Sequence, residues 1–241
     1  MKTVIIGDIH GRSVWKLITH LENPDRVIFI GDYFDSFDLK GEEQLNNFLD
    51  ILEYKKTGGK EVIMLIGNHD HHYFPEVGDT GTSGYQAMFS YQISPVLDAN
   101  REHLQVAYQM DEFLFTHAGV SSIFMDEVFG PQGWKVETIA DDLNEMFMYR
   151  PGVFSFNGID PYGDDEYQTP LWIRPRSLMK ANRNTLRKRI IQVVGHTEVK
   201  SVDLAGSEKS AGGRYYFIDC LGRSGEYLII QDGVLLTGQT R

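Results

Sequence analysis

Short apolar runs alternate with amphipathic stretches through the first seventy residues, and the apolar runs end alike. Lys2–Ile6 leads into Gly7-Asp8, Arg26–Ile30 into Gly31-Asp32, and Lys60–Ile66 into Gly67-Asn68. Between them, Ser13–Leu21 has helical spacing and is stopped by Asn23-Pro24. Glu42–Lys56 puts Leu45, Phe48, Leu49 and Leu52 on one helical face before Gly58-Gly59. Strand, helix, strand, helix, strand predicts parallel strands joined by helical crossovers. The carboxyl ends of parallel strands form one binding edge, so the polar clusters that follow them should meet there.

Beyond this region the pattern loosens. His71–Ser83 reads as a loop, with His71 and His72 on it. Tyr85–Leu97 reads as a helix disturbed near Pro95, and Lys135–Tyr149 as another. Leu104–Gln109 and Glu112–Thr116 read as a strand pair turning at Met110-Asp111, the second strand delivering His117-Ala118-Gly119. Arg150–Pro170 is a long irregular loop, a kind that often carries function. Leu186–Ile191 and Gln192–Val194 lead into Gly195-His196-Thr197. Tyr215–Ile218, Glu226–Ile230 and Val234–Thr237 read as short antiparallel strands, the last two joined by the hairpin pair Asp232-Gly233. A parallel half followed by an antiparallel half predicts an α/β fold. Its form is two facing mixed β-sheets, a β-sandwich flanked by helices, built as a single domain over residues 1–241.

Composition narrows the chemistry. A net charge of −11 repels nucleic acid and anionic membranes, so neither is expected as a partner. The same charge would repel a phosphate unless the site holds its own cations. With Cys220 as its one cysteine, the chain can form no intrachain disulfide, which suits a reducing compartment. No apolar run approaches bilayer length and the start lacks a cleavable leader pattern, so a cytoplasmic protein is expected.

The candidate chemistry lies in Gly7-Asp8-Ile9-His10-Gly11, Gly31-Asp32-Tyr33-Phe34-Asp35, Gly67-Asn68-His69-Asp70, Thr116-His117-Ala118-Gly119 and Val194-Gly195-His196-Thr197. Taken singly, each Asp or Asn could cap a helix or form a turn, and each His could sit satisfied in a core. Together, carboxylate, amide and imidazole at successive strand ends suit manganese, iron or zinc better than calcium, which prefers all-oxygen shells.

In these five ordered clusters, from residue 7 to 197, the chain resembles the calcineurin-like metallophosphoesterases, most of all the bacterial and phage-type phosphoprotein (serine/threonine) phosphatases. The resemblance implies two divalent metal ions, manganese first with iron or zinc as alternatives. Asp8 and His10 would hold one, Asn68, His117 and His196 the other, and Asp32 would bridge them. It further implies hydrolysis of phosphomonoesters by a dimetal-bound hydroxide, with His69 as general acid oriented by Asp35. Two divalent ions outweigh Asp8, Asp32 and a bridging hydroxide, so the filled centre would attract phosphate despite the acidic chain.

The chain departs from the family where Asp35-Ser36-Phe37 replaces Asp-Arg-Gly, and where Ile66 stands in place of an arginine before Gly-Asn-His. Both usual phosphate-gripping arginines are therefore missing. Leu171-Trp172-Ile173-Arg174-Pro175-Arg176 resembles a Trp-x-Arg-Pro segment of bacterial members and makes Arg174, then Arg176, the substrate-binding expectation. Arg174 could instead pair with the acids of Asp164-Asp165-Glu166. Glu198 stands where many relatives outside the phosphatase branch carry a second histidine, and could add an oxygen ligand. The substrate expected is a phosphorylated protein or a small phosphoester. The alternatives are a hydrolase of dinucleoside polyphosphates or cyclic phosphodiesters, and a non-catalytic metal-binding scaffold.

Overall fold

Val4, Ile5 and Ile6 are wholly buried, which places the first strand, β1 (Lys2–Ile6), inside a sheet. The computed structural model describes residues 1–78, 84–182, 186–205 and 214–240. On one side of β1 run β2 (Arg26–Phe29) and β3 (Glu61–Leu65), all parallel, followed by the short β4 (Leu104–Gln105). The crossover helices are α1 (Trp15–Glu22) and α2 (Gly41–Thr57). Trp15 Nε1 donates to Asn47 Oδ1 at 2.9 Å and ties the two together. The buried stripe of α2 is rotated from the expected one. Phe48, Ile51 and Leu52 are buried while Leu49 is exposed, and the buried three join the core cluster on the helical side of the sheet.

The second sheet contains β5 (Ala107–Met110), β6 (Phe113–Thr116), β7 (Ile191–Val194), β9 (Arg214–Phe217) and β8 (Asp203–Ala205), in that order. Period-two alternation supplies both cores. Ile5, Ile28, Ile63 and Leu65 point to the second sheet and meet Phe115, Ile191 and Val193. Val4, Ile6, Val27 and Phe29 point the other way, onto the helices. Each such side chain taken from water contributes about 1.5–3 kcal/mol.

The two facing mixed sheets and flanking helices match the expected architecture, but their assembly differs from the expected halves. β7 and β9 are parallel, and the hairpin of β10 (Glu226–Gln231) and β11 (Val234–Gln239) returns to the first sheet, where β10 lies antiparallel to β1. Its turn uses Asp232 at φ 52° and Gly233 at φ 79°, as the pair predicts. The run expected as one strand, Leu104–Gln109, divides at Val106 between the sheets. Asn144 causes the division to be stable: its Oδ1 accepts from Val106 N at 2.9 Å and Ala107 N at 3.1 Å, satisfying backbone groups that no strand pairs there.

The remaining helices are α3 (Asn68–His71), α4 (Ala87–Ala99), α5 (Ser122–Phe129), α6 (Ile139–Tyr149), α7 (Pro175–Ala181) and α8 (Leu186–Arg189). Sequence periodicity missed α5, which Ser121 caps by accepting from Phe124 N at 3.0 Å. The expected loop from His71 begins instead inside α3, and His71 and His72 are both buried; residues 79–83 of it lie outside the described residues. Among the described residues no helix is long and apolar enough to cross a membrane.

Candidate active site

The turns after β1, β2, β3, β6 and β7 carry Asp8 and His10, Asp32 and Asp35, Asn68 and His69, His117, and His196, respectively. Neighbouring turns are zipped together through the backbone. His10 N donates to Asp32 O at 2.6 Å, Gly11 N to Tyr33 O at 2.9 Å, and Gly195 N to His117 O at 2.7 Å. Glycines precede Asp8, Asp32, Asn68 and His196, and two of them have a steric purpose. A Cβ on Gly67 would lie 2.0 Å from Asp32 Oδ1, and one on Gly195 would lie 1.9 Å from Asp8 Oδ1. The glycines thus leave room for the two carboxylates. His10, Asp32, Asp35 and His196 adopt left-handed φ of 41°, 52°, 62° and 63°, a conformation costing on the order of 1 kcal/mol each and typical of functional turns.

All six residues expected to hold metal converge. Asp8, His10 and Asp32 place ligand atoms within 4.8 Å of one another. Asn68 Oδ1 lies 2.8 Å from His117 Nε2 and 2.9 Å from His196 Nδ1. Asp32 Oδ2 lies 3.7 Å from His10 Nε2 and 3.4 Å from His117 Nε2, so this carboxylate stands between the two groups.

The donor set fits cations, and the second nitrogen of each ring shows why. His10 Nδ1 donates to Phe34 O at 2.7 Å, His117 Nδ1 to Ile30 O at 3.0 Å, and His196 Nε2 to Trp172 O at 3.1 Å. A carbonyl can only accept, so each ring keeps its hydrogen there and turns the other nitrogen's lone pair into the cluster. Burial holds the rings neutral: it lowers His10 to about 4 and His117 to about 3, and takes His196 well below its ordinary value. The carboxylates move the opposite way. Burial first, then Asp219 and Asp32, raises Asp8 well above the usual carboxylate range; burial first, then Asp70, does the same to Asp32. Neutral imidazoles and mutually repelling buried acids together call for positive charge between them.

His69 lies at the rim. Its backbone N–H donates to Asp32 Oδ1 at 3.0 Å, its ring meets His10 edge-on at 5.4 Å, and its Nδ1 donates to Asp35 Oδ2 at 2.9 Å. Beside it opens a cleft of about 460 Å³ lined by His10, Arg12, Asp35, Phe37, Asp219 and Arg223 among others. Arg174 reaches the opposite side. Its Nη1 donates to His196 O at 3.3 Å and Thr197 Oγ1 at 3.2 Å, and its Nε to Tyr162 O at 3.1 Å. Among the described residues it forms no ion pair with the Asp164–Glu166 acids; Ser177 takes Asp164 and Lys180 takes Glu166. Arg176 is exposed on the first turn of α7 and joins none of the hydrogen bonds of the cluster. Glu198 is exposed and paired with Arg223 at 2.5 Å, so it is engaged away from the cluster.

Sequence reasoning missed four participants. Asp70, wholly buried, accepts from Gly67 N at 2.8 Å and Tyr33 N at 2.7 Å and so braces two ligand-bearing turns. Asp219 follows β9 at the same sheet edge, and extending the strand-end rule to Tyr215–Ile218 would have found it. His72 Nε2 lies 2.7 Å from Asp35 Oδ2, and Tyr73 donates its hydroxyl to Asp35 Oδ1 at 2.5 Å. No local spacing marks either of them.

These acids make the response to metal removal depend on pH. Burial raises Asp70 to about 7 and Asp219 to about 6, alongside Asp8 and Asp32. A carboxyl whose pKa rises on folding stabilises below its unfolded value and loses that contribution as pH climbs through its folded value. The metal-free protein therefore loses this contribution between about pH 4 and 7. Cations replace the missing protons, and at low pH they compete with protons for both acids and imidazoles. Manganese at a hundredfold excess over its Kd should stabilise by about 2.7 kcal/mol. The gain in melting temperature over a chelated sample should be larger at pH 8 than at pH 5.5. A larger gain at pH 5.5 would contradict the assignment of the acids.

The sequence model of the calcineurin-like phosphoesterases matches residues 1–217. No curated protein sequence matches the chain. Among solved structures, the cold-active protein-tyrosine phosphatase of a psychrophile, Shewanella sp., superposes with a TM-score of 0.60 at 17% identity, covering 99% of this chain and 77% of that one. A protein serine/threonine phosphatase from Saccharomyces cerevisiae, with similarity to human phosphatase PP5, superposes with a TM-score of 0.56 at 14% identity, covering 100% and 80%. At these identities the superpositions speak for the fold.

Proposed function

The chain belongs to the calcineurin-like phosphoesterase family, and on that footing we propose that it hydrolyses phosphomonoesters, with phosphoserine or phosphothreonine in proteins as the first choice of substrate. The observation that carries this reading is the meeting of six metal-type ligands with the His69–Asp35 pair where strand ends of the two sheets converge.

Asp8, His10 and Asp32 would hold one divalent ion. Asn68, His117 and His196, with Asp32 shared, would hold the second, manganese being the first choice. Such a pair supplies Lewis acidity toward phosphate oxygens and a nucleophile at neutral pH. The other steps fall to the protein. Asp35 keeps the His69 hydrogen on Nδ1, so a protonated His69 can release its Nε2 proton to the departing oxygen. The cleft beside His69 and Asp35 gives that leaving group room. Arg174, whose cationic head is held by carbonyl and hydroxyl oxygens without a carboxylate partner among the described residues, is free to attract phosphate. It replaces the grip lost with the usual arginines at positions 36 and 66.

Two protein phosphatases that superpose on the chain agree with a phosphoprotein substrate, one named for tyrosine and the other for serine and threonine. The test is a side-by-side assay of manganese-loaded protein. Phosphoserine, phosphothreonine and phosphotyrosine peptides, a dinucleoside tetraphosphate and a cyclic phosphodiester would be compared. Turnover of phosphoserine or phosphothreonine peptides above the nucleotide substrates is expected. Turnover of the nucleotide substrates alone would replace this reading with the nucleotide-hydrolase one.

A further inference from the structure

We propose that His72 and Tyr73 are positioning residues of the reaction, which fix the Asp35 carboxylate so that it in turn fixes His69. The proposal rests on the general-acid reading of His69. Asp35 is 1% exposed and is met from three sides, by two hydrogen bonds and one close ion-pair contact. His69 Nδ1 at 2.9 Å and His72 Nε2 at 2.7 Å both meet Oδ2, and the Tyr73 hydroxyl at 2.5 Å meets Oδ1. A carboxylate offers about four lone-pair positions, so two hydrogen bonds and a buried imidazole nitrogen packed against the same oxygen leave it little freedom to turn.

The direction of the tyrosine bond is settled by its neighbours. The Tyr73 oxygen already accepts the Gln86 backbone N–H at 2.9 Å, which leaves its own hydrogen for Asp35. The two outer side chains are held in turn. The His72 ring stands edge-on to Tyr73 at 4.6 Å and to Tyr85 at 4.8 Å, and Tyr73 stacks on Tyr85 at 5.0 Å. His72 and Tyr73 are 1% and 2% exposed, so neither can touch substrate, and their route to the reaction runs through Asp35.

The electrostatics agree with the geometry. Burial pushes the Asp35 carboxyl up, and the hydrogen bonds from His69, His72 and Tyr73 outweigh it, leaving the group below its ordinary value. A charged, immobile carboxylate keeps the His69 hydrogen on Nδ1 and aims Nε2 at the leaving oxygen. With a donor removed, the carboxylate can rotate, and the His69 ring loses both its tautomer and its aim.

The test separates positioning from simple structural support by leaving-group dependence. 2,4-Dinitrophenol departs without a proton, whereas phenol needs one. Tyr73→Phe removes one oxygen and keeps the stacked ring. His72→Met removes the donor, and His72→Gln keeps an N–H. In manganese-loaded protein, Tyr73→Phe and His72→Met should each raise the ratio of kcat for dinitrophenyl over phenyl phosphate about tenfold. His72→Gln should recover most of the wild-type ratio. In metal-free protein, the ¹⁵N shifts of the His69 ring should report an Nδ1–H tautomer in the wild type and a mixture in Tyr73→Phe and His72→Met. Equal slowing of both esters, or an unchanged tautomer, would overturn the proposal. A raised ratio in His69→Asn without one in Tyr73→Phe or His72→Met would sink this proposal and spare the general-acid reading. An unchanged ratio in His69→Asn would sink both.

Discussion

Asp32→Asn will cost the protein its metal centre and at least about a thousandfold in phosphoesterase turnover, equivalent to about 4 kcal/mol in activation free energy. The Asp32 carboxylate stands between the two groups of ligand-type residues. Oδ2 stands 3.7 Å from His10 Nε2 and 3.4 Å from His117 Nε2, while Oδ1 accepts the His69 N–H at 3.0 Å. An amide keeps the shape and one acceptor, and it withdraws the negative charge that two cations would share. It also puts an N–H₂ toward two imidazole lone pairs, which it can satisfy as a donor. The metal-free variant should therefore fold, and at pH 8 it should melt higher than the metal-free wild type, because a buried repelling charge is gone. Metal analysis should find two ions per chain in the wild type and less than one in the variant. Retention of both ions with wild-type turnover would show that Asp32 does not link them.

His69→Asn should lower kcat by about 10² to 10⁴, the range of a general acid, with the metal content preserved. The side chain contacts Asp35 and the edge of His10, whereas its backbone N–H, which the substitution keeps, holds Asp32. Loss therefore falls on the proton and leaves the ligand cluster in place. If His69→Asn released the metals, its ring would be a ligand and the assignment of roles around Asn68 would have to be redrawn.

The sequence carried most of the candidate site because each ligand-type residue is written into a short, local pattern. A glycine followed by Asp, Asn or His after an apolar run records two local facts: the strand has ended, and the backbone there must pass close to a neighbour. Gly67 against Asp32 and Gly195 against Asp8 are that closeness measured. Apolar runs and helical spacing likewise carried β1 to β3, α1 and α2. Legibility failed where the deciding contact is remote. Arg174 and Arg176 share one short motif, yet only Arg174 is turned toward His196, because Arg176 lies on the open face of α7. The loop expected at His71 and His72 is buried because Pro151 O, far along the chain, accepts from His71 Nε2 at 2.8 Å, while Asp35 holds His72.

What the sequence by itself determined is the roster of ligand-type residues and the strand ends that carry them, since both are properties of residue type and spacing over a few positions. Tertiary structure alone decided which nitrogen of each histidine faces inward. The selecting carbonyls belong to Phe34, Ile30 and Trp172, contributed by other turns, and only folding puts them beside His10, His117 and His196. It likewise decided the brace at Asp70, the contacts of Tyr73 and His72 with Asp35, and the split of Leu104–Gln109 between sheets at Asn144. The physical reason is common to all of them. A hydrogen bond depends on direction as well as identity, and direction between segments far apart in the chain exists only once they are packed.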